Sequence, residues 1–321
     1  MSGPALGRGG EFDRIRAIAA RLGGRAGPLG DDCVRLPDEP GTMVASTDQS
    51  VEGVHFRLEW LSLEEIGWRS ATAALSDLGA AGARCVGLLA AVNAPSGSSA
   101  EAVAALLSGM GDAVDAVGGK VLGGDLGSSD RWSVTTTVLG RAAIPMSRRG
   151  ARPGDAVWVT GSLGGARAAV AAWQAGREPD RFTRQAFARP SARLAAGRWL
   201  AAQGATAMID LSDGLAGDAG HLAAASGVEI VIELERLPVL PEVAPVAEAL
   251  SLEPEVFAAK GGEDYELLVC LPATFSLNDG ERFLAETGTR LSRIGQVRGG
   301  EGTRLTLDGH PVVVQSYDHF A

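Results

Sequence analysis

Seven aspartates, Asp31, Asp32, Asp48, Asp77, Asp125, Asp210 and Asp213, stand where short apolar or glycine-rich runs give out. Examples are Gly30-Asp31-Asp32, Val44-Ala45-Ser46-Thr47-Asp48, Gly123-Gly124-Asp125 and Ile209-Asp210-Leu211-Ser212-Asp213. If those ends converge in space, they build a nest of carboxylates with hydroxyls beside them. Such a donor set suits hard divalent cations, and it would grip phosphates only through bound metal. A single aspartate at an element end reads as a cap or an Asx-turn. Asp77 resists that reading, because a carboxylate in the last turns of a helix faces the unfavourable end of the macrodipole. Asp125 follows two glycines, which let a backbone and a ligand approach closely.

The runs between these acids alternate strand and Ala-rich helix, which predicts an α/β (α+β) fold. Spacing predicts a short amphipathic helix through Phe12, Ile15, Ile18 and Leu22, a strand from Thr42 to Thr47, a helix from Leu63 to about Ala80 and a buried strand from Val86 to Val92. A helix over Ala100 to Val117 and a β-branched strand over Ser133 to Leu139 follow. Gly150-Ala151-Arg152-Pro153-Gly154-Asp155 reads as an interdomain turn. Two domains are therefore expected, 1–147 and 148–321, as the length of 321 residues also favours. The second half repeats the grammar, with a strand from Ala156 to Thr160, a helix from about Gly165 and one long helix from Arg184 to Ala202. A strand to Ile209, a helix after Asp213 and strands at Val228 to Leu234 and Glu266 to Leu271 complete it.

Charge narrows the function. A net charge of -10 argues against nucleic-acid binding, which needs basic surface to displace counterions. The three cysteines, Cys33, Cys85 and Cys270, are far apart and show no C-x-x-C spacing, so neither a disulfide framework nor a zinc site is expected. No apolar stretch is long enough to span a bilayer and no signal pattern opens the chain, so a soluble cytoplasmic protein is expected. The chain has no G-x-x-x-x-G-K-[ST] and no G-x-G-x-x-G opening a helix, which disfavours a Walker-type NTPase and a Rossmann dehydrogenase. His55, just past the Asp48 strand, is a candidate hydrogen-bonding group, and Arg148 and Arg149 could clamp phosphate oxygens. The acids of Gly261-Gly262-Glu263-Asp264-Tyr265-Glu266, taken alone, read as a solvated edge before a strand.

Taken together, eight ordered segments resemble the thiamine-monophosphate kinase family, whose superfamily also holds aminoimidazole ribonucleotide synthetase and selenophosphate synthetase. They are Gly30-Asp31-Asp32, Ser46-Thr47-Asp48 with Glu52 to Phe56, Ser76-Asp77-Leu78, Gly123-Gly124-Asp125, Arg148 to Asp155, Ile209 to Gly214, Gly261 to Leu267, and Tyr317-Asp318-His319-Phe320. The chain departs from the family pattern at Leu107, near which an aromatic is usual, and at Leu126, where threonine is usual.

The resemblance implies ATP-dependent phosphorylation of thiamine monophosphate to thiamine diphosphate. It implies several Mg2+ ions on Asp31, Ser46, Thr47, Asp48, Asp77, Asp125, Asp210 and Asp213. Gly124, Asp125, Arg148 and Ser212 would contact ATP, while His55, Glu263 and Tyr317 would hold the thiamine monophosphate. It also implies a homodimer whose N-terminal mixed sheets join in a barrel, with a C-terminal α/β sandwich completing the active site. The alternatives are another ATP-using synthetase of the superfamily, or a non-catalytic nucleotide-binding dimer.

Overall fold

The computed structural model describes residues 10–26 and 36–314, with the backbone alone for residues 10–13. The chain divides into two compact units: residues up to Leu78 with Ala83–Ala143, and Gly79–Gly82 with the chain from Ile144 onward.

In the first unit α1 (Gly10–Leu22) precedes β1 (Thr42–Val51), α2 (Leu63–Ala80), β2 (Arg84–Pro95), α3 (Ala100–Asp115), β3 (Val121–Ser129) and β4 (Ser133–Ala142). The strands form a mixed sheet in the order β1-β4-β2-β3, antiparallel except for the β2–β3 pair. Strict alternation along β4 buries Val134, Thr136, Val138, Gly140 and Ala142 and leaves the residues between them half-buried. The buried face is the helix-covered one, since a Cβ at Gly140 would meet the side chain of Leu78 on α2. Glycines also let α2 and α3 cross closely: a Cβ at Gly67 would fall 1.9 Å from the Leu106 carbonyl oxygen, and one at Gly109 1.9 Å from that of Glu64.

The second unit contains β5 (Ala156–Thr160), α4 (Gly165–Gln174), α5 (Arg181–Ala188), α6 (Leu194–Ala202), β6 (Ala207–Asp210), α7 (Leu215–Ser226) and β7 (Glu229–Glu233). It continues through α8 (Ala244–Ala249), α9 (Pro254–Ala259), β8 (Leu267–Leu271), α10 (Leu277–Thr287), β9 (Leu291–Arg298), β10 (Gly302–Leu307) and β11 (His310–Val312). The seven-stranded mixed sheet runs β11-β10-β7-β9-β5-β8-β6. All five residues of β5 are buried, which marks a strand covered on both faces. Val157 and Val159 join Leu215 and Leu222 of α7 in one core. Ala156 and Trp158 join Leu200 of α6 and Phe283 of α10 in the other. Each fully buried Val, Leu or Phe among them contributes roughly 1.5–3 kcal/mol.

Three local expectations change. The single helix from Arg184 to Ala202 is two helices, because Pro190 lacks an amide to donate and displaces the preceding residue from helical backbone; Arg189 stands at φ -137°. Asp48 and Asp125 lie inside strands: β1 runs on to Val51 and β3 to Ser129. The segment 291–312, to which the sequence pattern assigns no element, forms β9, β10 and β11.

Candidate functional site

Strand register fixes the first group of acids. Asp48 stands directly opposite Thr136 and Ser46 opposite Val138. Both partners belong to the buried face of β4, so Ser46 and Asp48 share the helix-covered side of the sheet. Asp77, in the last turn of α2, reaches the same side, where the Ser46 hydroxyl donates to its Oδ2 at 2.5 Å. That bond supports a carboxylate which the helix dipole disfavours.

Thr47 points the opposite way, its hydroxyl 3.1 Å from that of Thr137. Asp125 pairs with Ala91, and Ala91 with Thr135, which places Asp125 on the Thr47 face. The ligands implied by the resemblance therefore divide between the two faces of this sheet. Gly124 has a packing reason of its own: a Cβ there would meet the Ala90 carbonyl oxygen at 1.9 Å.

Two buried hydroxyls beside these acids, Thr136 Oγ1 and Ser76 Oγ, have no hydrogen-bond partner among the described residues. Thr136 faces Asp48 across the strand pair and Ser76 adjoins Asp77 in α2. Carboxylates and hydroxyls alone make a hard, all-oxygen donor set, which fits Mg2+ and offers nothing to a soft metal. His55 lies in the turn after β1, where its Nδ1 accepts from the Val51 amide at 3.1 Å. An imidazole accepting at Nδ1 is neutral and carries its proton on Nε2, so it presents a donor. Leu107 is buried in α3, 6% exposed.

In the second unit β6 ends on the buried Asp210, and the turn Leu211 to Gly214 leads into α7. The segment 263–266 runs alongside this turn. The Leu211 amide donates to the Glu266 carbonyl at 2.8 Å, the Tyr265 amide to the Leu211 carbonyl at 2.9 Å, and the Glu263 amide to the Ser212 carbonyl at 2.8 Å. The approach is close enough that a Cβ on Gly262 would sit 2.5 Å from the Ser212 oxygen. Glu263 and Tyr265 take φ of 67° and 52°, a left-handed backbone that non-glycine residues adopt only under constraint. Ser212, Asp213 and Glu263 stay half-exposed beside one another in the chain path, and Arg148 is exposed.

The acids read as a solvated edge are bonded instead. Asp264 accepts from the Gly164 amide at 3.0 and 3.2 Å. Glu266 is 4% exposed and takes hydrogen bonds from Arg193 and from the Thr160 hydroxyl. Desolvation first, then the neighbouring Glu266, Glu263 and Asp218, holds the Asp264 carboxyl well above the usual carboxylate range.

Asp218, which sequence reasoning did not single out, lies in the first turn of α7 and is 2% exposed. Its Oδ2 accepts from the amides of Ser212 and Asp213, each at 3.1 Å. Burial, followed by the charges of Asp210 and Asp213, pushes its carboxyl up to about 8. Crowded negative charge of this kind is what a bound cation relieves. The available signal was an acid four residues past Gly214, a helix start whose residue has no side chain with which to cap.

Among the described residues, no three His, Cys, Asp or Glu side chains form a ready-made metal-binding group. No helix among the described residues is long and apolar enough to cross a membrane. Asp31 and Tyr317 lie outside the described residues.

Residues 30–142 match the family described as AIR synthase related protein, N-terminal domain, and residues 152–308 match AIR synthase related protein, C-terminal domain. The thiamine-monophosphate kinase of Halobacterium salinarum is 36% identical over 95% of this chain and 99% of its own length. The crystal structure of thiamine-monophosphate kinase from Stenotrophomonas maltophilia superimposes with a TM-score of 0.81 at 30% identity, covering 96% of this chain and 98% of that one. The structure of AaThiL complexed with AMPPCP and TMP superimposes with a TM-score of 0.78 at 30% identity, covering 98% and 100%. Matched along nearly its whole length by members of one kind, the chain belongs to the thiamine-monophosphate kinase family, within the AIR synthase related proteins.

Proposed function

We propose that this protein transfers the γ-phosphoryl group of ATP to thiamine monophosphate, giving thiamine diphosphate and ADP. The observation that carries the reading is full-length likeness to a structure complexed with both AMPPCP and TMP, at 30% identity. The attacking atom is a phosphate oxygen, already ionised at neutral pH, so no side-chain base or nucleophile is required. Catalysis then consists of in-line positioning and charge neutralisation.

Each residue has a task in that scheme. Asp31, Ser46, Thr47, Asp48, Asp77, Asp125, Asp210 and Asp213 are the oxygen donors that hold Mg2+. When bound, Mg2+ offsets the repulsion between carboxylates and polyphosphate and neutralises charge on the transferred group. Gly124, Asp125, Arg148 and Ser212 contact ATP, with the exposed Arg148 suited to bidentate binding of phosphate oxygens. His55 donates from Nε2, and Glu263 and Tyr317 hold the thiamine monophosphate, whose cationic thiazolium ring complements a carboxylate.

Residues 1–147 act as the nucleotide-binding and dimerisation domain and residues 148–321 as the second catalytic domain. The half-buried face of the four-stranded sheet, with Thr135, Thr137 and Leu139, supports pairing of two copies into a barrel. A soluble biosynthetic kinase of this kind works in the cytoplasm. Incubating the purified chain with ATP, Mg2+ and thiamine monophosphate and separating the products tests the reading. Thiamine diphosphate formed in step with ADP is expected, whereas ATP consumption without thiamine diphosphate overturns it.

A further inference from the structure

The turn that carries Asp210, Ser212 and Asp213 has no side-chain cap of its own, yet its backbone groups are taken on both sides. On one side the 263–266 segment satisfies Leu211 N, Leu211 O and Ser212 O. On the other side stand two amides, Ser212 N and Asp213 N, and both donate to a single atom, Oδ2 of Asp218. Gly214, the residue that starts α7, has no side chain with which to do this, and at φ 101° and ψ 151° it turns the chain sharply. Asp218 is one turn further along the helix, bound to Gly214 through its own amide at 3.0 Å. A carboxylate in the first turn of a helix ordinarily serves that helix's own amides. This one reaches back beyond the helix start.

The consequence is positional. Paired amides before a helix N-terminus form a concavity suited to anions, the kind of place where a phosphate would otherwise sit directly. Here a buried carboxylate fills it, so the turn cannot take phosphate on its backbone, while Ser212 and Asp213 remain half-exposed. We infer that Asp218 is a positioning residue: by holding the Ser212 and Asp213 amides it fixes the Asp210–Asp213 turn for metal-dependent binding of the nucleotide. The inference rests on the reading of Asp210, Ser212 and Asp213 given under Proposed function.

The test is calorimetry of ATP binding, with Mg2+ and with EDTA, to the full chain and to Asp218→Asn, Asp218→Ala and Asp218→Glu. Groups that orient metal ligands typically carry about 10–100-fold in metal affinity, so Asp218→Ala is expected to bind Mg2+·ATP at least about tenfold more weakly. Its affinity for ATP in EDTA should hold or rise, because two amides are uncovered. Asp218→Asn, whose carbonyl accepts from both amides, should stay within about threefold of the parent. Asp218→Glu keeps the charge and displaces the acceptor, so it should behave as Asp218→Ala does, and it carries the comparison if Asp218→Ala does not fold.

A merely structural role would lower the melting temperature and leave the ratio of the two affinities unchanged. The inference is overturned if that ratio is unaltered in folded Asp218→Ala or Asp218→Glu, or if Asp218→Asn is as impaired as they are. Thiamine monophosphate takes no part in these measurements. Failure to form thiamine diphosphate would therefore remove the proposed reaction and leave the role of Asp218 standing, while a parent chain whose ATP binding ignores Mg2+ would remove both.

Discussion

Glu266 offers both carboxylate oxygens to one guanidinium: Arg193 donates from Nη2 to Oε1 at 2.5 Å and from Nε to Oε2 at 2.7 Å. The Glu266 side chain is 6% exposed, and the Thr160 hydroxyl adds a third bond at 2.6 Å while accepting from the Leu267 amide at 2.8 Å. The pair thus ties β5, β8 and the residues before α6 to the end of the 263–266 segment. Removing only the cation leaves a buried carboxylate without its counter-ion, so Arg193→Ala should lower stability by about 3–5 kcal/mol. Urea unfolding measures this, and a loss under about 1 kcal/mol would show that Glu266 finds water in place of the guanidinium at little cost.

Gly262 is predicted to be intolerant of even one methyl group. A Cβ there would stand 2.5 Å from the Ser212 carbonyl oxygen, and that atom already accepts the Glu263 amide. The 261–266 segment must shift away from the turn, taking Glu263 with it. Because displacement of about 1 Å can cost two orders of magnitude in rate, Gly262→Ala should reduce kcat/KM for thiamine monophosphate by at least about tenfold. A variant with wild-type kcat/KM would show that the two segments move independently.

The fold class was legible because strand and helix periods differ, and β4, with five β-branched residues in succession from Val134 to Val138, was legible with them. What periodicity could not show was where strands end. Asp48 was placed at the edge of its strand, yet pairing of Gln49, Ser50 and Val51 with β4 carries β1 three residues further. That difference decides the chemistry, since register puts Asp48 under the helices and Asp125 on the other face. Asp264 and Glu266 were legible as acids but not as bonded ones, because their partners, Gly164 and Arg193, are 100 and 73 positions away in sequence. Asp218 escaped notice because an acid in the first turn of a helix is ordinary, and only the φ of Gly214 sends its bonds backward.

Asp48 is the acid whose replacement should separate chemistry from folding most cleanly. It stands opposite the buried Thr136 hydroxyl and next to Gln49, whose amide donates to its Oδ1 at 2.7 Å. Asparagine preserves that acceptor and the shape while removing the charge. Asp48→Asn should keep its circular dichroism and melting profile and lose more than about 99% of turnover at limiting Mg2+, as removal of a metal-bound carboxylate would require. Normal turnover at low Mg2+ would take Asp48 out of the metal site.

Cys85 and Cys270 should be chemically silent in the folded state. Burial pushes both thiols up to about 12, with only partial relief for Cys85 from the Arg84 charge. Thiolate is the reactive form, so at pH 8 neither should react with iodoacetamide until the chain unfolds. Mass mapping of alkylated sites in native and denatured protein checks this, and labelling of Cys270 in native protein would reveal opening of the β5–β8–β6 part of the sheet.

The acid cluster around Asp218 has a signature in the stability of the metal-free protein. Its carboxyl is pushed from 3.8 to about 8 by burial and by Asp210 and Asp213. The unfolded chain releases this proton near pH 4 and the folded chain near pH 8, so the folded state binds more protons through that window. Stability from this group must therefore fall as pH rises from about 4 to about 8 and level off above it. Asp264, whose carboxyl is also raised, shifts stability in the same direction. Asp218→Asn removes one contribution and keeps the other, so the difference in melting temperature between parent and variant should widen from pH 5 to pH 8 in EDTA, with the variant the more stable at the upper end. Saturating Mg2+ should narrow the gap at pH 8, because a cation near Asp210 and Asp213 favours the ionised cluster. Parallel melting curves across that range would mean that Asp218 ionises freely in the folded chain and that the cluster exerts no strain on its charge.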